Sequence, residues 1–329
     1  MSENAIEARD LRKTYRRQGA EAEKVALKGV DLTVPTGSVF GLLGPNGAGK
    51  STLINILAGL VRKTSGTVRI WGFDQDVNPR MSRASIGVVP QELNIDPFLS
   101  PAQALEVQAG LYGVPAEQRR TREILEALGL GDKMDAYART LSGGMRRRLL
   151  VAKAMVHTPP VLVLDEPTAG VDLELRRQLW DYVKELNARG VTVILTTHYL
   201  EEAQEMCDQI AIIHQGAVVT SQPTEKLLAS IDRKTAIIRP ARTVAELDDL
   251  ARALPKGATV VRRPESALAI EFARRDVSLG QILQTLTEAG VEISDLSTEE
   301  PDLEDVFLAL TTSGGVDGVA ETGGGRHER

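Results

Sequence analysis

Short apolar runs alternate with amphipathic segments along the first two thirds of the chain. The runs at 39–43, 161–164 and 191–195 have the length of buried strands, so they predict strands of one sheet. At 51–60 the apolar residues recur at helical spacing, which predicts a helix soon after the first of these strands. Strands and helices that alternate in this way indicate an α/β domain.

A mainly helical stretch at 101–130 follows, interrupted by Gly113, Pro115 and Gly129. A further helix is predicted at 145–157, where apolar residues again have helical spacing.

Residues 234–312 predict a second, smaller unit. Its elements, in order, are a strand at 235–238, a helix at 244–254, strands at 259–262 and 267–272, a helix at 279–289 and a strand at 291–296. This β-α-β-β-α-β order is that of a ferredoxin-like α+β domain, and a last helix is predicted at 303–310. We therefore expect domains at 1–230, with a helical subdomain at about 92–160, and at 231–312, before a disordered tail at 313–329.

Composition and charge limit the classes of function. The chain of 329 residues is 42% hydrophobic and 26% charged, as in ordinary globular proteins. Its net charge of -6 argues against nucleic acid as the main partner, because phosphate binding needs a basic surface. The run Arg146-Arg147-Arg148 predicts a solvated helix face, with contact points for such a partner as the alternative.

Cysteine usage and the N-terminus indicate a cytosolic protein. The single Cys207 cannot form an internal disulfide, which fits a reducing compartment. We expect Cys207 to be a packing residue. The N-terminus lacks the basic start and apolar segment of a secretory signal, and no apolar run reaches the ~18 to 20 residues that cross a bilayer. We therefore expect any membrane attachment to come through another subunit.

The strongest chemical signal is a glycine-rich loop between the first predicted strand and helix. It fits the phosphate-binding pattern G-x-x-x-x-G-K-[ST] and comprises Gly44, Pro45, Asn46, Gly47, Ala48, Gly49, Lys50, Ser51 and Thr52. Glycines let backbone N–H groups close around phosphates, and the following helix adds the positive end of its dipole. We expect Lys50 to contact the terminal phosphates, Ser51 to bind Mg²⁺ and Thr52 to contact the α-phosphate.

Asp165 and Glu166 supply a second part of this site. They follow the apolar run at 161–164, at the sheet edge where ligands bind in open α/β folds. We expect Asp165 to hold Mg²⁺ through water and Glu166 to accept a proton from an attacking water. A solvated acidic turn before Pro167 is the alternative, and the preceding phosphate loop makes it the less favoured one.

The order of the motifs resembles that of ATP-binding cassette (ABC) ATPases across residues 4–225. These motifs are the phosphate loop, Gln91, Leu141-Ser142-Gly143-Gly144, Asp165-Glu166, Asp172 and His198. The resemblance implies an ABC nucleotide-binding domain of the P-loop NTPase class that hydrolyses ATP with Mg²⁺, with Lys50, Glu166 and His198 as catalytic residues.

The same resemblance assigns four more contacts. Gln91 would touch Mg²⁺ and sense a transmembrane partner, His198 would contact the γ-phosphate, and Asp172 would lie between the two halves of a dimer. Tyr15 would stack on adenine, with an ordinary core or surface tyrosine as the alternative. The long insertion at 16–24 departs from the shorter loops of the family and puts the adenine contact in doubt.

Ser142, Gly143 and Gly144 form the family's signature, at the start of the helix predicted at 145–157. A serine hydroxyl and two glycines at a helix N-terminus make a second anion-binding site. In the family, the signature of one subunit covers the ATP held by the phosphate loop of its partner. Because the chain has one copy of each motif, the resemblance implies a dimer, most simply a homodimer, with a heterodimer as the alternative.

The stretches at 141–149, 165–172 and 197–203 resemble those of ABC-2-type exporter ATPases, which include the daunorubicin-resistance group. Many other cassettes have glutamines where Met145 and Arg146 stand, and residues 300–308 resemble the end of that group's C-terminal regulatory or dimerisation extension. The implied function is to drive a separate ABC-2-type permease at the cytoplasmic membrane face, exporting a drug, lipid or polysaccharide. The alternatives are a soluble ABC ATPase acting on ribosomes or DNA, and the ATPase of an importer.

Overall fold

The structure, a computed structural model, describes residues 3–16, 23–169, 171, 173–242, 247–264 and 267–312. The chain divides into two units, Met1–Thr224 and Glu225–Arg329. Three predictions fall wholly or partly outside the described residues: Asp172, the tail at 313–329, and the part of the predicted helix at 244–246. No helix among the described residues is both long and apolar enough to cross a membrane.

The first unit contains an antiparallel sheet of four strands in the order β2-β1-β4-β5. Its strands are β1 (Asn4–Tyr15), β2 (Lys24–Pro35), β4 (Ser65–Ile70) and β5 (Phe73–Asp74). In β2 the buried Val30, Leu32 and Val34 alternate with exposed Asp31 and Thr33, so one face of the strand packs on the core.

A second sheet of six strands carries the predicted chemistry. Its strands are β3 (Val39–Leu43), β6 (Ile86–Val89), β7 (Val161–Asp165), β8 (Thr192–Thr196), β9 (Gln209–His214) and β10 (Ala217–Pro223). They lie in the order β10-β9-β3-β8-β7-β6, and all neighbours are parallel except β9 and β10. The three apolar runs predicted as strands are β3, β8 and β7, side by side, which confirms the predicted α/β fold. Their carboxyl ends meet at one edge, where ligands bind in such sheets.

The helices of this unit are α1 (Lys50–Leu57), α2 (Pro79–Ala84), α3 (Pro101–Leu111), α4 (Thr121–Ala127), α5 (Gly143–Met155), α6 (Leu173–Ala188) and α7 (Leu200–Met206). Helix α1 ends before the predicted position because Gly59 adopts the left-handed conformation, with φ 70°, that terminates helices. Phe40 and Leu42 of β3 pack in the same core as Leu53 and Ile56 of α1, which fixes the loop between them.

Two predictions about single side chains have opposite outcomes. Cys207 is buried, as predicted for a packing residue, and burial raises the pKa of its thiol to about 12. The solvated face predicted for the three arginines of α5 is wrong for two of them, because Arg147 and Arg148 are only 5% and 8% exposed, whereas Arg146 is half-buried. Both guanidinium groups lie against backbone carbonyls of other segments, which solvate them in place of water.

The second unit is built around an antiparallel sheet in the order β12-β13-β11-β14. After α8 (Thr224–Ala229), its elements are β11 (Lys234–Pro240), α9 (Leu247–Ala253), β12 (Ala258–Arg262), β13 (Leu268–Phe272), α10 (Leu279–Glu288), β14 (Ile293–Glu299) and α11 (Leu303–Thr312). Leu250 of α9 and Leu286 of α10 share one apolar core with Ala236 and Ile270 of the sheet. The observed order after α8 is β-α-β-β-α-β; the role of this unit stays a prediction.

Candidate functional site

A cavity of about 870 Å³ lies at the carboxyl edge of the six-stranded sheet. This volume is within the range of small-molecule and cofactor sites, ~300 to 1,000 Å³. Of the residues predicted from sequence, its lining includes Tyr15, Asn46, Gly47, Gly49, Lys50, Ser51, Thr52, Gln91, Asp165 and Glu166. Lys24, Lys28 and Gln215, which the sequence did not single out, line it as well. The fold thus brings most of the predicted site residues to one place.

The phosphate loop needs glycine at two positions for steric reasons. A Cβ at Gly44 would lie 2.2 Å from the carbonyl oxygen of Ile213, and one at Gly49 would lie 2.9 Å from that of Ala26. Gly49 is also the N-cap of α1, with φ 115°, and provides no side chain to the first N–H groups of the helix. Because those N–H groups have no partner within the helix, the loop presents donors to an anion.

Lys50 connects this loop to the carboxylates. Its Nζ donates hydrogen bonds to the carbonyl oxygens of Gly44, at 2.5 Å, and Pro45, at 3.2 Å. Burial lowers the pKa of Lys50, and the nearby Glu166 and Asp165 oppose that change. An ammonium has three donors, so this one can also reach a phosphate oxygen while it stays bound to the loop.

The carboxylates are held by residues from neighbouring strands and loops. Asp165 is in register with Thr196 on β8, and the Thr196 hydroxyl donates to Asp165 Oδ1 at 2.5 Å. Glu166 Oε2 accepts a hydrogen bond from Gln91 Nε2 at 2.8 Å and lies 3.6 Å from His198 Nδ1. Three residues that are far apart in sequence, Gln91, Glu166 and His198, therefore form one polar cluster.

The backbone of Glu166 is held in an unusual conformation. Its φ is 47°, in the left-handed region that costs a non-glycine residue roughly 1 to 2 kcal/mol. The N–H of Glu166 donates to both the carbonyl and the hydroxyl oxygen of Thr196, at 3.1 and 3.0 Å. Its carbonyl accepts from Arg147 Nη2 and from the N–H of Ala169, both at 3.3 Å. The surroundings thus fix the direction of the Glu166 side chain.

The donor set fits Mg²⁺ that arrives with nucleotide phosphates. Ser51, Gln91 and Asp165 bring a hydroxyl, an amide and a carboxylate oxygen to the same cavity. Mg²⁺ is a hard cation that is usually bound through one or two carboxylates together with substrate phosphates and water. Among the described residues, no cluster of three or more histidine, cysteine or acidic side chains could hold a metal alone.

Tyr15 also lines the cavity. The residue is 38% exposed, so the alternative of a core tyrosine is wrong. Lys13 Nζ lies 4.7 Å from the centroid of the ring, a cation–π contact on one face of the ring. Residues 17–22 of the neighbouring insertion are outside the described residues.

The signature residues lie at the N-terminus of α5, apart from the residues that line the cavity. Ser142 is the N-cap of α5, and its hydroxyl accepts a hydrogen bond from the N–H of Met145 at 3.2 Å. Ser142 and Gly143 are exposed, and within the described part of the chain the cavity lining includes none of Ser142, Gly143 and Gly144. Asp172 lies outside the described residues.

Sequence reasoning missed three residues that hold the site together: Thr196, Arg147 and Glu202. The position of Thr196, at the end of the strand beside Asp165, was a usable signal, because parallel strands bring their carboxyl ends to one edge. The buried Glu202 accepts hydrogen bonds from Thr168 at 2.9 Å and Thr197 at 3.2 Å. It gave no signal, because it stands in an acidic stretch that is typical of a solvated helix face.

The chain is similar to known proteins over much of its length. The family profile described as ABC transporter matches residues 27–169. The daunorubicin/doxorubicin resistance ATP-binding protein DrrA of Streptomyces peucetius is 39% identical over 312 residues, 93% of this chain and 92% of that protein. The Nod factor export ATP-binding protein I of Paraburkholderia xenovorans is 40% identical over 232 residues, 70% of this chain and 74% of that protein.

A solved structure is similar to the first part of the chain. It is the dimeric structure of a post-hydrolysis state of the ATP-binding cassette MJ0796, bound to ADP and Pi. The match has a TM-score of 0.60 and 28% sequence identity, and covers 67% of this chain and 98% of the other.

Proposed function

The chain belongs to the family of ABC transporter ATP-binding proteins, and on this premise we propose that it is the ATPase subunit of an ABC-2-type exporter. Two copies would bind two ATP–Mg²⁺, close on each other and drive a separate membrane permease. The observation that carries this proposal is that the nucleotide-binding residues and the signature lie in separate places on the chain. The phosphate loop, Gln91 and Glu166 line one cavity, whereas Ser142 at the head of the signature lies outside its lining.

This division supports a dimer as the active form. Exposed Ser142 and Gly143 at the N-terminus of α5 are free of the cavity in their own chain and would close over the nucleotide of a second copy. The related cassette MJ0796 has been solved as a dimer with ADP and Pi. We assign Asp172 to the interface between the two copies.

In the nucleotide site, Lys50 and the backbone N–H groups of the loop would hold the terminal phosphates, and Thr52 the α-phosphate. Ser51, Gln91 and, through water, Asp165 would hold Mg²⁺. When bound, Mg²⁺ neutralises charge on the β- and γ-phosphates.

Glu166 is the proposed general base. Its Oε2 lies in the cavity within 2.8 Å of Gln91 Nε2, where it can take a proton from a water molecule aimed at the γ-phosphate. His198, 3.6 Å from Glu166, would contact the γ-phosphate and keep it next to the base. Tyr15 would stack on the adenine through the ring face that Lys13 leaves uncovered.

The assignment to export rests on the relatives. Two of them are named for resistance to daunorubicin and doxorubicin and for Nod factor export. We therefore place this chain at the cytoplasmic face of a bacterial membrane, with a drug, lipid or polysaccharide as the exported class. Val107 and Leu111, one turn apart on α3, and Phe98 just before it are exposed apolar residues, and we assign them to contact with the permease.

The test compares Glu166→Gln with the wild-type chain. The variant keeps the shape of the side chain and cannot accept the proton, so we expect ATP affinity to stay within about threefold while turnover falls by on the order of a hundredfold. We also expect the variant to form a dimer on ATP that size-exclusion chromatography detects. Lys50→Ala should instead lose ATP affinity itself, because it removes a phosphate contact.

Glu201→Gln is the matched control, since Glu201 is exposed on α7 and should leave turnover unchanged. Normal hydrolysis by Glu166→Gln would refute the role of the base. Co-purification of the full chain with a polytopic membrane protein supports the exporter, and co-purification with ribosomes would contradict it.

A further inference from the structure

Arg147 occupies a position that neither the sequence motifs nor the proposed function explains. It is the fifth residue of α5, the helix that begins at the signature, and it is only 5% exposed. A buried guanidinium is costly unless its donors are satisfied and its charge is compensated. The contacts of Arg147 therefore show which groups compensate for burying its charge.

Among the described residues, Arg147 donates three hydrogen bonds, and all three go to backbone carbonyls at the edge of the cavity. Nη1 donates to Pro90, at 2.8 Å, and to Gln91, at 2.9 Å, and Nη2 donates to Glu166 at 3.3 Å. Pro90 follows β6 and Glu166 follows β7, which are neighbouring parallel strands. One guanidinium thus joins the carboxyl ends of two strands to α5.

The charge of Arg147 is matched to this location. Burial lowers the pKa of its guanidinium, and the nearby Asp165 and Glu166 act in the opposite direction. A guanidinium remains charged in proteins, so Arg147 places a fixed positive charge near the carboxylates of Asp165 and Glu166.

Because Glu166 has a left-handed backbone, its conformation persists only if neighbouring groups enforce it. Thr196 holds the N–H of this residue, and Arg147 holds its carbonyl. We propose that Arg147 is a positioning residue for Glu166. Arg147 binds the backbone carbonyls of Glu166 and Gln91 at the same time, and it thereby holds the Glu166 carboxylate beside the side-chain amide of Gln91. This inference rests on the proposed role of Glu166 as the base.

The residue type follows from the geometry. Arginine offers donors in a rigid fork, so two of its nitrogens can reach carbonyls on different strands at once. Lysine would keep the charge but reach these acceptors from a single nitrogen. Glutamine would lose both the charge and the reach.

The neighbouring Arg148 provides a matched control. It is also buried on α5, but its Nη1 donates to the carbonyl of Leu128, at 2.7 Å, just past the end of α4 and outside the cavity lining. Replacing Arg148 therefore removes a buried arginine from the same helix without removing a bond to Glu166.

The experiment measures steady-state ATP hydrolysis and ATP affinity for the full chain with Arg147→Gln, Arg147→Lys or Arg148→Gln, each in the wild-type and the Glu166→Gln background. In the wild-type background we expect Arg147→Gln to lower kcat about tenfold with KM within about threefold, and Arg147→Lys to have an intermediate effect. With Glu166→Gln, the further loss on adding Arg147→Gln should stay under about twofold, because both changes act through one group. Arg148→Gln should change kcat by the same factor in both backgrounds.

A kcat of Arg147→Gln equal to that of the wild type, or an equal fold loss in both backgrounds, would overturn the proposal. If Arg147→Gln does not fold, Arg147→Lys decides, and wild-type kcat in that variant overturns it as well. Normal turnover in Glu166→Gln alone would instead show that the proposed base is wrong, so the two failures are distinguishable.

Discussion

Replacing Glu202 with alanine is the most informative perturbation of stability that the structure offers. Glu202 is 8% exposed, and its Oε2 accepts hydrogen bonds from the hydroxyl groups of Thr168 and Thr197. Its Oε1 lies 3.3 Å from Arg176 Nε, in a charge–charge contact that is not aligned as a hydrogen bond. Thr168 lies two residues after Glu166 and Thr197 directly precedes His198, so this carboxylate ties together the two segments that flank the proposed base.

The magnitude follows from what the substitution leaves behind. Each hydrogen bond to a charged group contributes roughly 1.5 to 3 kcal/mol, and breaking a buried ion pair by removing one partner costs about 3 to 5 kcal/mol. Because Arg176 is partly exposed and its contact is not aligned, we take the lower end. We expect Glu202→Ala to lower the free energy of unfolding by about 3 kcal/mol. Glu202→Gln keeps an acceptor for the threonines and should lose about half as much.

The assay is a urea titration followed by tryptophan fluorescence. Both tryptophans of the chain, Trp71 and Trp180, belong to the first unit, so the signal reports the unfolding of that unit. Glu201→Ala, one position earlier on α7 and exposed, is the control and should change the free energy by less than about 0.5 kcal/mol. A loss below about 1 kcal/mol for Glu202→Ala, or equal losses for the two alanine variants, would refute the reasoning.

Two further predictions concern the phosphate loop and pH. Gly44→Ala should weaken ATP binding at least tenfold in equilibrium titration, because its Cβ would lie 2.2 Å from the carbonyl oxygen of Ile213. The control is Gly280→Ala, whose Cβ would have its nearest neighbouring atom at 3.9 Å and which should leave ATP affinity unchanged. Equal ATP affinities of the two variants would contradict this prediction. Burial lowers the pKa of His157 from 6.5 to about 4, so protonation favours the unfolded chain. The stability that neutral His157 contributes is therefore fully present above pH 6.5 and is lost as the pH falls toward 4. The wild type should therefore lose about 1 kcal/mol more stability than His157→Gln between pH 7 and 5.5, and parallel urea curves at both pH values would disprove it.

Much of the fold was predictable because the residues that determine it are close together in sequence. The apolar runs of β3, β7 and β8 give strands of the right length in one sheet, and the glycine-rich loop after β3 leads into α1 as expected. Once the strands are parallel neighbours, their carboxyl ends must meet, which places Asp165 and the phosphate loop at the same edge. The predicted gathering of Lys50, Gln91 and Glu166 around one cavity follows from this topology.

The charged residues that hold the site were not predictable in the same way. Arg147 and Glu202 stand in charged stretches that are typical of solvated helix faces, yet both are buried. Their burial depends on partners from distant segments, such as the Pro90 carbonyl and the Thr168 hydroxyl, and no local pattern encodes those partners. A charged side chain is predicted to be exposed because water is its usual hydrogen-bond partner. This prediction fails where the fold supplies polar groups as partners instead.

These buried contacts also connect the signature to the nucleotide cavity of the same chain. Helix α5 begins at Ser142, whose end of the helix is exposed, and its fifth residue is bonded to the carbonyl of Glu166. In an α-helix two positions five residues apart are separated by about 7.5 Å along the helix axis. If the exposed end closes on a partner's nucleotide, as we propose, then Arg147 would connect that contact to the carbonyl of Glu166 in the same chain.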